Sequence, residues 1–260
     1  KQETGITVNY FEDVNSNDEY FAVVQGRLAQ GEGIDRDIFV ATDNSRFPSL
    51  YVSQGWVQEL DKELISNIAN LIDAHASPPF DPERTYSLPW VSGMTGIAWN
   101  QDLTGPVTTI QQLLEDPKLK GKVTMLSEMG DSLGLVMADA GDDPASVTDE
   151  SFDRAIQRVQ AAVDSGQIRK FYGNDYGQPL ANGDLAAAVA WSGDVATLKA
   201  DNPRLEWAVP EGGGIIWTDN MFIPTGGSVA TASTYMNFVY DPRIAAQIAV
   251  GTGYISSVKG

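Results

Sequence analysis

Short apolar runs alternate along this chain with longer stretches in which apolar residues recur every third or fourth position, the pattern of strands followed by helices. Ile6–Phe11 reads as a strand, and Phe21, Val24 and Leu28 mark one face of a helix over Glu19–Ala29. Asp37–Ala41 is a short apolar run that opens into the polar turn Thr42-Asp43-Asn44-Ser45. Tyr86–Trp90 and Gly93–Asn100 read as an extended pair, the second member interrupted by glycines. A helix at Ile110–Glu115, a strand at Lys122–Leu126 and a helix over Asp131–Ala140 follow. Asp149–Ser165 places Phe152, Ile156, Val159 and Val163 on one helical face, with Gly166 as a stop. Ala186–Trp191 and Leu205–Val209 are further strands joined by a helix at Asp194–Ala200. A strand at Met221–Pro224 and helices at Val229–Tyr240 and Pro242–Val250 complete the pattern.

This alternation predicts an α/β fold with mainly parallel strands. The turn-rich stretches Asn100–Gly105 and Ile216–Asn220 are the best places for the chain to cross between two lobes. The expected division is a discontinuous first lobe, residues 1–100 and 220–260, and a second lobe, residues 101–219. Strand ends and loops would then face a cleft between lobes, where open α/β sheets usually hold their ligands.

With 260 residues, 42% of them hydrophobic, the chain can fill one large core or two modest ones. No apolar run approaches the roughly 18 residues that a membrane span requires. The opening Lys1-Gln2-Glu3-Thr4-Gly5 reads as the middle of a helix-to-strand connection, which places any targeting segment before Lys1. Cysteine is absent, which removes disulfides, thiolate metal sites and cysteine nucleophiles. The 35 acidic residues outnumber 17 basic ones for a net charge of −18. A potential of that sign repels nucleic acid and anionic membranes and draws cations in, although such acidity also serves solubility alone.

The sharpest enzyme-like motif is Gly130-Asp131-Ser132-Leu133-Gly134, a Gly-x-Ser-x-Gly between a strand and a helix. A nucleophile elbow needs its histidine later in the chain, and the single histidine, His75, precedes it in a polar loop where exposure is the ordinary expectation. One histidine also cannot build a typical zinc site. Gly31-Glu32-Gly33 and Gly251-Thr252-Gly253 are incomplete dinucleotide fingerprints. No catalytic residue, metal or cofactor is therefore expected. What remains is a set of acids and aromatics at strand ends. Glu128 and Asp131 follow one strand, Trp191 and Asp194 another, Trp217 and Asp219 a third, and Tyr254 follows the last helix. Carboxylates and indole faces are the groups that ammonium ions seek. Taken singly, Trp191 could be core, and Glu128, Asp131 or Asp194 could be helix caps.

In order and spacing, these residues resemble the periplasmic spermidine/putrescine-binding proteins of ABC transporters. The resemblance is carried by Tyr86-Ser87-Leu88-Pro89-Trp90, Gly93-Met94-Thr95-Gly96-Ile97, Leu119-Lys120-Gly121-Lys122, the Glu128/Asp131 pair and Ala190-Trp191-Ser192-Gly193. It continues through Pro210-Glu211-Gly212-Gly213, Trp217 with Asp219, and Gly253-Tyr254. It implies the two-lobed type II periplasmic binding protein fold and a polyamine held without catalysis. Trp191 and Trp217 would be walls, Tyr254 a further aromatic contact, Asp219 the grip on one amine, and Glu128 with Asp131 the grip on the others. Thr42 falls where the family often has a small hydroxyl residue, and Asn44 where it often has an aromatic. The resemblance also implies permease subunits as partners, a monomer, and a place in the periplasm or on the outer face of the membrane. The family's first strand would precede Lys1 and its C-terminal helices would follow Gly260. The competing expectation is a receptor of the same fold for another small amine or a zwitterion such as a γ-amino acid. That ligand would need an arginine for its carboxylate, and Arg46 is the nearby candidate.

Overall fold

Local capping chemistry sets many element ends in the computed structural model, which describes residues 4–260. The first three residues of the connection expected at Lys1–Gly5 lie outside the described residues. Helix α1 (Asn17–Ala29) starts where the Ser16 side chain accepts from the Glu19 amide. Strand β1 (Phe39–Thr42), helix α2 (Phe47–Ser53) and strand β2 (Val57–Gln58) follow, then the long strand β3 (Ser87–Asn100). Next come α3 (Ile110–Glu115), β4 (Val123–Leu126), α4 (Met129–Asp139), α5 (Asp149–Asp164), β5 (Ile168–Tyr172), α6 (Gly177–Ala181), β6 (Ala187–Trp191), α7 (Ser192–Leu198) and β7 (Leu205–Ala208). The chain ends with β8 (Ile215–Pro224), α8 (Val229–Val239), α9 (Pro242–Thr252) and β9 (Ile255–Ser256). Capping boxes open α3 and α5, from Thr109 with Gln112 and from Thr148 with Ser151.

The chain divides into two compact units, Lys1–Ser92 with Trp217–Gly260 and Gly93–Ile216. The first passage between units falls inside β3, at Ser92/Gly93, ahead of the stretch Asn100–Gly105. The second falls at Ile216/Trp217, within the stretch Ile216–Asn220, which is part of strand β8 and not a turn. Gly93 does not break β3 into two segments, so the pair expected at Tyr86–Trp90 and Gly93–Asn100 is one strand.

In the first unit β8 runs antiparallel to β1, with Thr42 opposite Asp219 and Phe39 opposite Phe222, and β2 and β9 make further antiparallel pairs. Side chains alternate along β8 and are buried on both faces. Phe222 joins a cluster with Leu28, Phe39, Phe47 and Tyr51, while Met221 and Ile223 join Leu60, Ile65, Leu88, Met236 and Tyr240. Ile6–Phe11 forms no strand and has no sheet partner; Val8, Tyr10 and Phe11 are exposed, and Arg36 lies over the Phe11 ring.

In the second unit β3 pairs antiparallel with β6 and β7, while β4 runs parallel to β5 and β6. The expectation of mainly parallel strands therefore fails: among the described pairings only those of β4 are parallel. Apolar runs buried on both sides look alike in either direction, so hydropathy alone does not show strand polarity. The buried side of α5 is Ala155, Val159 and Ala162, and the expected Ile156 and Val163 are exposed. At Gly96 a Cβ would sit 2.5 Å from the Ala208 carbonyl and 2.7 Å from the Trp207 ring, so β7 approaches β3 as closely as only glycine permits.

Candidate functional site

Each unit carries its own acid-and-aromatic set. In the first unit Thr42 ends β1 directly opposite Asp219. The Thr42 hydroxyl donates to the Asp219 carboxylate at 2.7 Å, and the Asn17 side chain donates to Thr42 at 3.3 Å. Asn44 sits half-buried in the following turn. Between them, Asp43 accepts from the Thr218 amide at 2.7 Å and its own amide donates to the Thr218 carbonyl. Burial pushes the Asp43 carboxyl above its usual range, against the opposing pull of the Thr218 amide and the Arg84 charge. Trp217 lies two residues before Asp219 on the same face of β8. Its ring meets Tyr254 edge to face at 5.2 Å. Gly253, at φ 73°, ends α9 in the left-handed conformation and turns the chain so that Tyr254 leaves the helix axis.

In the second unit the two acids stand at the head of α4. Glu128 is the N-cap residue without a side-chain cap bond, and Asp131 lies in the first turn. Both are buried, at 7% and 2% exposure. The amino end of an eleven-residue helix favours negative charge there. The buried hydroxyl of Thr95 donates to Asp131, and Thr95 is the β3 residue directly opposite Trp191. One short stretch of sheet thus gathers Asp131, Thr95 and Trp191. Trp191 packs edge to face on Tyr176 at 5.6 Å. The Tyr176 hydroxyl accepts from the Trp191 amide and donates to Asp194 in the first turn of α7, so that acid supports the tryptophan's strand end.

Thr95 and Tyr176 escaped the reading of the sequence as functional residues. Threonine in an apolar strand and tyrosine in a short 3-10 turn carry no local signal; only the tertiary packing brings their hydroxyls to Asp131 and Asp194, in the first turns of α4 and α7. Arg46 is exposed and lies over the Phe47 ring at 5.4 Å. His75 departs from the exposed loop residue expected. It is half-buried, its Nδ1 is 2.9 Å from the Ser257 hydroxyl, and burial followed by the Arg84 charge lowers its pKa. Among the described residues no group of three or more His, Cys, Asp and Glu side chains could hold a metal ion. Nor is any described helix long and apolar enough to cross a membrane.

An α/β chain of two units, each with acids and aromatics on or beside its strands, has the make-up of a solute receptor, and its sequence agrees. The family described as bacterial extracellular solute-binding protein matches residues 1–260, and the chain belongs to that family. More particularly, it is 25% identical over 203 residues to the spermidine/putrescine-binding periplasmic protein of Salmonella typhimurium, across 77% of this chain and 58% of that relative. It therefore spans somewhat over half the length of that relative. It is also 25% identical over 280 residues to the putrescine-binding periplasmic protein of Escherichia coli, across 100% of this chain and 73% of the relative. Among solved structures, a Listeria monocytogenes protein described as a candidate spermidine/putrescine ABC transporter superposes with a TM-score of 0.83. That match has 25% identity and covers 99% of this chain and 77% of the other.

Proposed function

We propose that this chain is the solute receptor of a polyamine importer of the ABC type, holding a cation such as putrescine or spermidine without transforming it. The observation that carries the reading is the repeated pairing of an acid with a threonine hydroxyl beside an aromatic. Asp219 with Thr42 lies near Trp217 and Tyr254, and Asp131 with Thr95 lies near Trp191. A hydroxyl that donates to a carboxylate fixes its orientation while leaving its negative charge for an ammonium group. Indole faces attract both the cation and its methylenes. In this reading Asp219 takes an amine common to all diamines, Glu128 and Asp131 take the amines that depend on ligand length, and Asn44 lines the first unit's set. The names of the relatives point to the same ligands. Permease subunits would be the macromolecular partners of a monomeric receptor in the periplasm or on the outer face of the membrane.

The test is isothermal titration with putrescine, spermidine, spermine and γ-aminobutyrate. The expected result is binding of at least one polyamine and none of γ-aminobutyrate, whose carboxylate would face acids. Binding of γ-aminobutyrate in preference to every polyamine, or of no amine at all, overturns the proposal.

A further inference from the structure

Behind the acid-bearing strand of the first unit lies a buried arginine that the proposed site does not use. Arg84 is 3% exposed, yet each of its guanidinium nitrogens donates a hydrogen bond. Nη1 donates to the Ser87 hydroxyl at 3.0 Å and to the Asn220 side-chain oxygen at 2.7 Å, and Nε and Nη2 both donate to the His75 carbonyl. Burial lowers its pKa to about 10, which still leaves it charged at neutral pH. Its backbone is in the left-handed region, at φ 49°, a conformation in which a non-glycine residue is strained. Asp81 holds the turn in that state: its carboxylate accepts from the amides of Thr85, Tyr86 and Ser87 and from the Ser87 hydroxyl. A strained backbone and a desolvated charge persist only where the surroundings require them, and packing alone would be served by an apolar side chain.

The bonds leading away from Arg84 show what requires it. Asn220, itself fully buried, receives the arginine on its oxygen and passes its amide to the Thr218 carbonyl at 2.9 Å. Thr218 is locked in turn to Asp43, and the Trp217 carbonyl accepts from the Ser92 hydroxyl at 2.6 Å. Along a strand, Thr218 and Asn220 face one way while Trp217 and Asp219 face the other. The arginine thus grips β8 from the side opposite the proposed ligand contacts. We propose that Arg84 is a positioning residue for solute binding, holding through Asn220 and Thr218 the β8 backbone that presents Asp219 and Trp217. This inference rests on the polyamine reading for its ligand, and on geometry alone for the relay.

Two measurements test it, both on the full chain. In the first, hydrogen exchange without ligand compares the wild type with Asn220→Leu and Arg84→Met. Exchange should quicken across residues 217–220 while helix 129–139 in the other unit stays unchanged. No local change in either variant overturns the relay, whatever the ligand is. Should Arg84→Met fail to fold, Asn220→Leu suffices, since it cuts the link and leaves the arginine its bonds to Ser87 and His75. The second is a double-mutant cycle read by putrescine titration. Asn220→Leu should weaken binding about 10-fold when Asp219 is present and less than about 2-fold in Asp219→Asn, because the two act through one contact. Equal losses in both backgrounds would mark Asn220 as merely structural and overturn the positioning role. A wild type that binds no polyamine sinks the proposed function, and the exchange measurement still decides the relay.

Discussion

At the scale of single residues, the informative feature is how a carboxylate is held. Asp219 takes a hydrogen bond from the Thr42 hydroxyl, a neutral donor, in contrast to the charged donor that Arg27 offers Asp35 at the surface. Its charge is thus oriented without being neutralised by that bond. Replacing Asp219 with Asn keeps the size and an acceptor but removes the charge. The expected outcome in titration is a loss of putrescine affinity of about 2–4 kcal/mol, roughly 30- to 1000-fold, with the melting temperature preserved. A change below about threefold would remove Asp219 from the site. Thr42→Val acts one step further back. It deletes a hydrogen bond to a charged group, so a smaller weakening is expected, about 1–2 kcal/mol by calorimetry. A Thr42→Val effect larger than that of Asp219→Asn would mean that the hydroxyl, and not the acid, reads the ligand.

At the scale of elements, packing overrides hydrophobicity in α5. Ile156 is the larger residue but is 41% exposed, whereas Val159 is 9% exposed. Val159→Ala should cost about 1.5–2.5 kcal/mol in urea unfolding, and Ile156→Ala no more than about 0.5 kcal/mol. The reverse order would put the buried stripe where hydropathy alone places it. A second element-level device ties the short turn at His75 to the segment after β9 through Ser257. The folded-state pKa of His75 is lowered, so its stabilising contribution is complete above the ordinary value of 6.5. As pH falls below that value the unfolded chain takes up a proton that the folded chain resists, and stability drops. Because the chain has a single histidine, thermal unfolding between pH 7 and the folded-state value should show this slope, at most about 1.4 kcal/mol per pH unit. His75→Gln should flatten it. An unchanged slope in that variant would assign the effect to carboxylates.

At the scale of the whole molecule, the net charge of −18 acts on any cationic solute before contact. Exposed charges act through a field screened within about 10 Å at 0.1 M salt and about 3 Å at 1 M. Raising the salt should therefore weaken spermidine, with three charges, more than putrescine, with two, and chiefly by slowing association. Parallel losses for the two ligands, measured by stopped-flow at several salt concentrations, would show that local contacts carry the electrostatics and the overall charge does not.

The longer helices, the short α3 and several strands were legible in the sequence because each depends on local periodicity and caps. Helix α3 at Ile110–Glu115 and the amphipathic span of α5 are examples. The positions of Glu128 just after β4 and of Trp191 at the end of β6 were legible for the same reason, whereas Trp217 and Asp219, expected after a strand, lie inside β8. The short elements α2, β5 and α6 were missed, and Ile6–Phe11 forms no strand. Strand direction, the buried face of α5 and the first passage between units, inside β3, were decided only in three dimensions. So were the donors that hold the acids: Thr42 reaches Asp219 across 177 residues, and Thr95 reaches Asp131 across 36. Local sequence determines what a segment can form. Hydrogen bonds between distant strands, which leave no periodic trace, determine which side chains meet there.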